Sequence, residues 1–134
     1  MLLCAMKMAR FLSVYEKLPE GLETQLGERG VMLSGGEKQR AALARLFLEQ
    51  KDAIILDEAT SAMDNLTEEA VIGEVFSWWK EKTVICVAHR LNSIRGCDRV
   101  IVMNAGQIVG DGSFEGLLET NDYFRKLYEA GKAL

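Results

Sequence analysis

The sequence predicts an α/β domain with a largely parallel β-sheet. Short apolar runs that are typical of buried strands, among them residues 53–56 and 83–88, alternate with segments that have the apolar spacing of helices. With 134 residues, 49% of them apolar and 27% charged, the chain has the size and composition of one ordinary globular domain. The alternation of the two patterns indicates the fold class.

The first third of the chain is predicted to be two helices separated by a turn-rich segment. Residues 2–17 form the first helix, which Pro19 ends. Residues 20–36 contain several glycines and are predicted to be turns. Residues 37–50 form the second helix because they are strong helix formers, with Ser34 ahead of them as the N-cap candidate. One face of the first helix is expected to carry Leu3, Met6, Phe11, Val14 and Tyr15.

Residues 53–80 are predicted to form a strand followed by a helix. Residues 53–56 are a continuous apolar run, which predicts a strand buried on both faces. A helix follows over residues 65–80, where Asn65 and Glu68 suggest a capping-box-like start. One side of that helix is expected to carry Val71, Val75 and Trp79.

The last third is predicted to add two strands, a hairpin arm and two helices. The dipeptide Ala105-Gly106 indicates a turn between the last strand and its arm. In chain order the segments are strands at 83–88 and 99–103, the arm at 107–109, and helices at 113–119 and 122–131.

Composition excludes several functions. The net charge is −4 and the basic residues form no stripe, so nucleic acid is not an expected partner. The three cysteines are too widely spaced for a zinc cluster or a disulfide framework, which favours a reducing cytosol. The sequence has no apolar stretch of about 18 residues, so we expect any membrane connection to come through a partner.

Two adjacent carboxylates end the strand at residues 53–56. In open α/β sheets ligands bind beyond the carboxyl ends of strands, which is where Asp57 and Glu58 stand. A divalent cation carried by a nucleotide phosphate would compensate their mutual repulsion. An acidic, solvated turn is the alternative.

Two further features are candidates for phosphate chemistry. Ser34, Gly35 and Gly36 precede a helix, where backbone amides and the helix dipole suit a phosphate, although an ordinary capped turn has the same residues. His89, the single histidine, follows the strand at 83–88 and is expected on the side of the sheet where the two carboxylates emerge. A packed structural histidine is its alternative interpretation.

In combination and in this order, these features resemble the ATPase domain of ABC transporters. Residues 33–40, Leu-Ser-Gly-Gly-Glu-Lys-Gln-Arg, resemble the signature motif, and residues 53–57 the Walker B strand. Glu58 falls on the catalytic glutamate of the family, residues 61–64 resemble its D-loop, and His89 matches its switch histidine.

The resemblance extends over residues 18–127 and is most similar to exporters. Residues 18–22, 27–30 and 98–103 have the exporter pattern. In that group the segment matching Gly27-Glu28-Arg29-Gly30 lies near the transmembrane domain, which makes Glu28 and Arg29 candidates for coupling hydrolysis to transport. A polar turn is the alternative for these two residues.

The resemblance implies a partial P-loop NTPase (RecA-like) parallel sheet joined to part of the ABC helical subdomain. Residues 1–50 correspond to the helical subdomain with the signature motif, and residues 51–134 to part of the catalytic core. It also implies ATP and Mg²⁺ as cofactors, and a second ABC ATPase domain as a head-to-tail partner. The expected location is the cytoplasmic side of a membrane, held there by the transmembrane domain of a transporter.

The resemblance also implies a role for each candidate. Asp57 organises the magnesium shell, Glu58 polarises the attacking water, and His89 donates to the γ-phosphate. Asp64 links the two sites of the dimer, and Ser34 and Gly36 meet ATP on the opposite subunit. The candidates for nucleotide binding are therefore Ser34, Gly35, Gly36, Glu37 and Asp64.

One motif of the family is missing from these residues. The P-loop pattern Gly-x-x-x-x-Gly-Lys-Ser/Thr does not occur, and the single Gly-Lys pair, Gly131-Lys132, lacks its other members. We expect the isolated chain to bind ATP poorly and to have no ATPase activity. In the family the P-loop strand lies between the strands matching 83–88 and 99–103. Its absence is expected to leave a gap or to force those two strands together, and either would expose apolar edges and favour misfolding or association.

Three interpretations of the chain are open at this point. The first is a piece of an exporter ATPase subunit, favoured because Met1 falls in what the family makes the middle of the helical subdomain. The second is a non-enzymatic interaction module that supplies only the signature face to another ATPase subunit. The third, a soluble ABC protein of DNA repair or translation, is disfavoured by the exporter-like residues 18–30 and 98–103.

Overall fold

The computed structural model describes residues 1–27, 30–49, 51–88 and 90–132. In chain order its elements are α1 (Leu2–Met8), α2 (Leu12–Tyr15), α3 (Gly35–Leu46), β1 (Ala53–Asp57), α4 (Asn65–Trp78), β2 (Thr83–Val87), β3 (Val100–Asn104), β4 (Gln107–Gly112), α5 (Phe114–Thr120) and α6 (Asp122–Lys132), with short 3₁₀ turns at Gly21–Glu23 and Leu91–Ile94. The chain forms two compact units, Met1–Val87 and Ala88–Leu134. The mixed α/β class is confirmed. Among the described residues, no helix combines the length and the apolar character needed to cross a bilayer.

The first unit packs α1 to α4 around a single apolar core. Val71 and Val75 of α4 have no exposed surface, and Trp79 after that helix is also buried, as its apolar spacing predicts. The ring of Phe47, just after α3, stacks on Trp79 with centroids 4.8 Å apart and planes 11° from parallel. These aromatic contacts hold the ends of α3 and α4 together.

The two strands of the first unit form a small parallel sheet. They pair in register from Ala53 opposite Thr83 to Asp57 opposite Val87, so both strands end at the same edge. Side chains alternate along β1: Ile54 is 3% exposed and faces the core, whereas Ile55 is 68% exposed. The expectation of a strand buried on both faces is therefore wrong, because helices cover one face of β1 while the other is uncovered within this unit.

The single helix predicted over residues 2–17 is two helices. Arg10 has a φ of 54°, which no continuous helix allows. The Phe11 amide donates to the carbonyl oxygen of Met6 at 2.8 Å, and the Arg10 amide to that of Lys7 at 2.9 Å. These two hydrogen bonds form a Schellman cap, with arginine at the position that glycine usually occupies.

The start of α4 also differs from its predicted form. Asp64 is the N-cap, since its carboxylate accepts a bond of 2.9 Å from the Thr67 amide. The capping box predicted for Asn65 and Glu68 is therefore wrong. Glu68 is buried, and its carboxylate accepts a bond from the Thr60 hydroxyl at 2.9 Å.

The second unit is a hairpin covered by two helices. Strands β3 and β4 pair antiparallel, with an irregularity between Val102 and Met103. Ala105 and Gly106 form the two-residue turn, which confirms the hairpin predicted there. The core of the unit consists of Val100, Val102, Phe114, Leu117 and Phe124.

The hairpin turn carries a local strain that a substitution should relieve. Ala105 and Gly106 have φ values of 48° and 78°, as the type I′ turn requires, and alanine is disfavoured in that region. We expect Ala105→Asn to raise the free energy of unfolding by about 0.5–1 kcal/mol, because asparagine tolerates left-handed backbone. Urea denaturation measures the change. Gly106→Ala is the reciprocal control and should lower stability; equal midpoints for all three proteins would contradict the turn assignment.

Candidate functional site

The candidate site is built on the loop that follows β1, residues 58–63. The Glu58 amide donates to the carbonyl oxygen of Val87 at 3.3 Å, which extends the pairing of β1 with β2 by one residue. Glu58 then has a φ of 50°, so the chain leaves the sheet abruptly. The Ser61 amide donates back to the Glu58 carbonyl oxygen at 3.1 Å, and the Met63 amide to that of Thr60 at 3.0 Å. The loop is thus a compact pair of turns.

The two predicted acidic residues lie at the edge where both strands end. Asp57 is the last residue of β1, and both it and Glu58 are exposed. Within the described residues no three potential metal ligands of His, Cys, Asp or Glu type converge. Two exposed carboxylates fit Mg²⁺, which keeps several waters and takes further oxygen ligands from phosphates. They do not fit a cation that needs a complete cage of protein ligands.

Ser34 begins α3 through a full capping box. Its hydroxyl accepts a bond of 3.3 Å from the Glu37 amide, and its amide donates to the Glu37 carboxylate at 2.7 Å. The bond from the Ser34 amide, followed by that from its hydroxyl, holds the pKa of Glu37 below its ordinary value. The predicted N-cap is confirmed. The Glu37 carboxylate is itself part of the cap, an arrangement typical of Ser-x-x-Glu at a helix start.

Gly35 and Gly36 pack directly against the loop. A Cβ added at Gly36 would lie 2.8 Å from the carbonyl oxygen of Ala62, and one added at Gly35 would lie 3.3 Å from the Ala62 Cβ. Any side chain at Gly36 would push the helix start and the loop apart. The glycine pair is therefore needed for packing inside the chain, whatever approaches it from outside.

Gln39 joins α3 to the same loop and was not singled out from the sequence. Its side-chain NH₂ donates to the Glu58 carbonyl oxygen at 3.2 Å and to the Ser61 hydroxyl at 3.0 Å. Its side-chain oxygen accepts from the Ala62 amide at 3.0 Å. Nothing in the local sequence marks these contacts, because the partners are 19 to 23 residues away along the chain.

The far side of the loop is fixed to α4. Thr60 and Glu68, both buried, share the bond already described. At the end of the loop Asp64 accepts a second bond, of 2.7 Å, from the Thr67 hydroxyl. The hydroxyl and then the amide of Thr67 hold the pKa of Asp64 below its ordinary value. The structure therefore gives Asp64 a clear capping role.

Three of the predicted residues lie outside the described residues. They are the switch histidine candidate, His89, and the coupling candidates, Glu28 and Arg29. The structure brings together Ser34, Gly35, Gly36, Glu37, Asp57, Glu58 and Asp64, all within the unit Met1–Val87.

Comparison with known proteins shows which family the chain resembles. Residues 6–61 match the family model described as "ABC transporter". An ATP-dependent lipid A-core flippase from Shewanella sp. (strain MR-4) is 42% identical over 125 residues, which cover 93% of this chain and 21% of the flippase. The mitochondrial iron-sulfur clusters transporter atm1 from Aspergillus fumigatus is 44% identical over 128 residues, covering 94% of this chain and 18% of the transporter.

A solved structure gives the same result. The chain is similar to a bacterial Atm1-family ABC exporter with ATP bound, with a TM-score of 0.88 and 34% identity. The match covers 99% of this chain and 23% of the exporter. The chain spans about a fifth of the length of the relatives it matches.

The close packing at Gly36 predicts opposite effects for the same substitution at two glycines. Gly36→Ala should lower the free energy of unfolding by about 1–3 kcal/mol, because the new methyl group meets backbone that cannot rotate away. Gly73→Ala, in the middle of α4 with open space around it, should raise it by about 0.5–1 kcal/mol through helix propensity. Urea denaturation of both variants tests the contact; stabilisation by Gly36→Ala would show that the loop does not pack there.

The cap at Asp64 predicts a pH-dependent contribution to stability. Because folding lowers the pKa of this carboxyl from its ordinary 3.8, the ionised cap stabilises the protein above that pH and is lost as pH falls through the folded value. Asp64→Asn keeps an N-cap acceptor but cannot titrate. We expect the wild type to be the more stable at neutral pH and the difference to vanish in acid, measured by urea midpoints. A difference that is independent of pH would contradict this assignment.

Proposed function

We propose, because this chain belongs to the ABC transporter family, that it forms part of the ATPase domain of an exporter and takes part in the ATP binding and hydrolysis that drive transport. One observation carries the proposal: the loop bearing Glu58 is bonded and packed against the first turns of α3, the helix that begins with Ser34. The hydrolytic and signature motifs are therefore adjacent parts of one unit. The similar solved structure is an exporter by name, which supports the direction of transport.

In this proposal the end of β1 supplies the hydrolytic groups. Asp57 would hold Mg²⁺ through bound waters. Glu58 accepts the proton of the water that attacks the γ-phosphate, and ADP leaves as its bond to that phosphate breaks. His89 donates a hydrogen bond to the phosphate oxygens on which negative charge concentrates. When bound, Mg²⁺ neutralises charge on the phosphoryl group being transferred. The exposure of both carboxylates leaves them accessible to a nucleotide.

The start of α3 supplies a second surface, for ATP held by a partner. We propose a second ABC ATPase domain, placed head to tail, as that partner. The Ser34 hydroxyl oxygen accepts from the Glu37 amide, which places this hydroxyl at the helix start where a phosphate would approach. The first amides of the helix, at Gly35 and Gly36, together with the helix dipole favour an anion at the same place. Glu37 fixes the cap that presents them, and Asp64 links the two sites.

The proposal includes the rest of the transporter. Residues 1–50 act as part of the helical subdomain and residues 51–134 as part of the catalytic core. Glu28 and Arg29 contact the transmembrane domain, which holds the ATPase domain at the cytoplasmic side of the membrane. Nucleic acid is not a partner.

A second candidate function rests on the missing phosphate loop. The 134 residues contain no Gly-x-x-x-x-Gly-Lys-Ser/Thr pattern. The chain would then act as an interaction module that supplies only the signature face, Ser34 to Glu37, to an ATPase subunit with its own P-loop. This function needs Ser34 and Gly36 but not Glu58.

A chimera tests the two functions. The 134 residues replace the matching region of the Shewanella flippase, whose remaining sequence supplies the rest of the transporter. We expect Mg²⁺-dependent phosphate release that Glu58→Gln lowers by about 10²–10⁴-fold, the usual contribution of a general base. His89→Ala should also lower it strongly. Phosphate release from purified transporter in detergent is the measurement.

Matched controls make the result specific. Glu69→Gln makes the same chemical change at an exposed glutamate of α4 and should leave turnover unchanged. The chain by itself should release no phosphate. A chimera that hydrolyses ATP equally well with Glu58→Gln would remove Glu58 from the mechanism and favour the interaction module. Hydrolysis by the isolated chain that Glu58→Gln abolishes would contradict the argument from the missing loop.

A further inference from the structure

We propose that Gln39 is a positioning residue for Glu58, and that its side-chain amide holds the backbone of Glu58 in the conformation from which that carboxylate acts. The catalytic part of this inference rests on the function proposed above. The structural part, that Gln39 holds the Glu58 backbone, stands on the contacts of the chain alone.

Glu58 has an unusual backbone conformation. Its φ of 50° lies in the left-handed region, which costs a residue with a Cβ about 1–2 kcal/mol. Such strain persists only where neighbouring contacts impose it, and it is concentrated at functional sites. At this position the left-handed turn decides in which direction the chain, and with it the carboxylate, leaves the sheet.

Hydrogen bonds on both sides of Glu58 hold that turn. On one side the Glu58 amide is bonded to the Val87 carbonyl oxygen at 3.3 Å. On the other side the Glu58 carbonyl oxygen accepts from the Gln39 NH₂ at 3.2 Å as well as from the Ser61 amide. Both peptide groups of Glu58 are therefore fixed, one by the sheet and one by α3. The bond to Gln39 connects the carbonyl to an element outside its own loop.

The side-chain amide of Gln39 matches the hydrogen-bonding groups of the loop. A primary amide has donors on nitrogen and an acceptor on oxygen, and Gln39 uses both kinds. Its nitrogen donates to Glu58 and to the Ser61 hydroxyl, while its oxygen accepts from the Ala62 amide. A glutamate or a methionine has the same length and cannot reproduce the set. The requirement for a carboxamide at this place is therefore chemical as well as steric.

Helix α3 connects the signature turn at Ser34 to the loop that begins with Glu58. Gln39 lies on α3 about one and a half turns after the Ser34 cap, and Gly36, between them, contacts the Ala62 backbone. A helix is stiff over this distance, so a displacement of its first turn by a bound phosphate moves the donor to the Glu58 carbonyl with it. Gln39 thus ties the placement of the general base to the state of the signature turn.

Two variants separate the donor from the acceptor role. Gln39→Glu keeps the length and an oxygen acceptor for the Ala62 amide, but it loses the donors and places a carboxylate beside the Glu58 carbonyl. Gln39→Ala removes both roles. Arg45→Ala, an exposed residue near the end of the same helix, is the matched control. If Gln39→Ala fails to fold, Gln39→Glu carries the test, because it preserves the side-chain volume.

The first measurement uses the chain itself and needs no nucleotide. NMR of the labelled protein gives the Cα and Cβ shifts of Glu58, which report left-handed backbone, and the hydrogen exchange of the Ser61 and Ala62 amides. With Gln39→Glu we expect the Glu58 shifts to leave the left-handed range and Ser61 exchange to rise about tenfold, while Ala62 stays protected; a lost hydrogen bond is worth about this factor. Left-handed shifts in both Gln39 variants would overturn the proposal.

The second measurement is the turnover of the flippase chimera. Gln39→Glu should lower kcat by about tenfold and change the KM for ATP less than twofold, because Gln39 positions the base and does not touch the nucleotide. Arg45→Ala should change neither. Altered Glu58 shifts with an unaltered kcat would overturn the catalytic part. A parent chimera without turnover would count against the proposed function, whereas the NMR result would still decide whether Gln39 holds Glu58.

Discussion

The first unit depends on the close approach of the loop after β1 to the start of α3. The helix start and the loop can come this close because Gly36 has no Cβ to meet the Ala62 carbonyl oxygen. The approach brings the Gln39 amide within hydrogen-bond distance of three loop groups. On the opposite side the buried pair of Thr60 and Glu68 ties the loop to α4. The loop backbone is thus held from both sides, which maintains the left-handed conformation of Glu58 at the start of the loop.

Features set by a few neighbouring residues could be predicted from the sequence. Ser34 with Glu37 is a capping box within four residues, and Ala105-Gly106 is a two-residue turn between apolar segments. The position of Asp57 at a strand end follows from the abrupt end of an apolar run. The break at Arg10 could not be predicted, because a Schellman cap formed with arginine lacks the glycine that marks such ends. Gln39 was missed for a different reason: its partners are set by tertiary packing.

Burial of the sheet shows where pattern and packing differ. A continuous apolar run predicts a strand covered on both faces, yet Ile55, Ile85 and Val87 point to the face that the core of their unit leaves uncovered. Ile101 on β3 and Ile108 on β4 are also exposed.

Two carboxylates of the candidate site, Glu37 and Asp64, also cap helices. Their lowered pKa values come from those same capping hydrogen bonds. A carboxylate already engaged in a cap cannot reorient to meet a nucleotide without giving up the helix start that it stabilises. Any role of these two residues in nucleotide binding must therefore be exerted through the position of the helix starts. At Glu58 the backbone is held, through the Gln39 amide and the Val87 carbonyl. In the proposed mechanism, these contacts let ligand binding at the start of α3 act on Glu58 through its backbone.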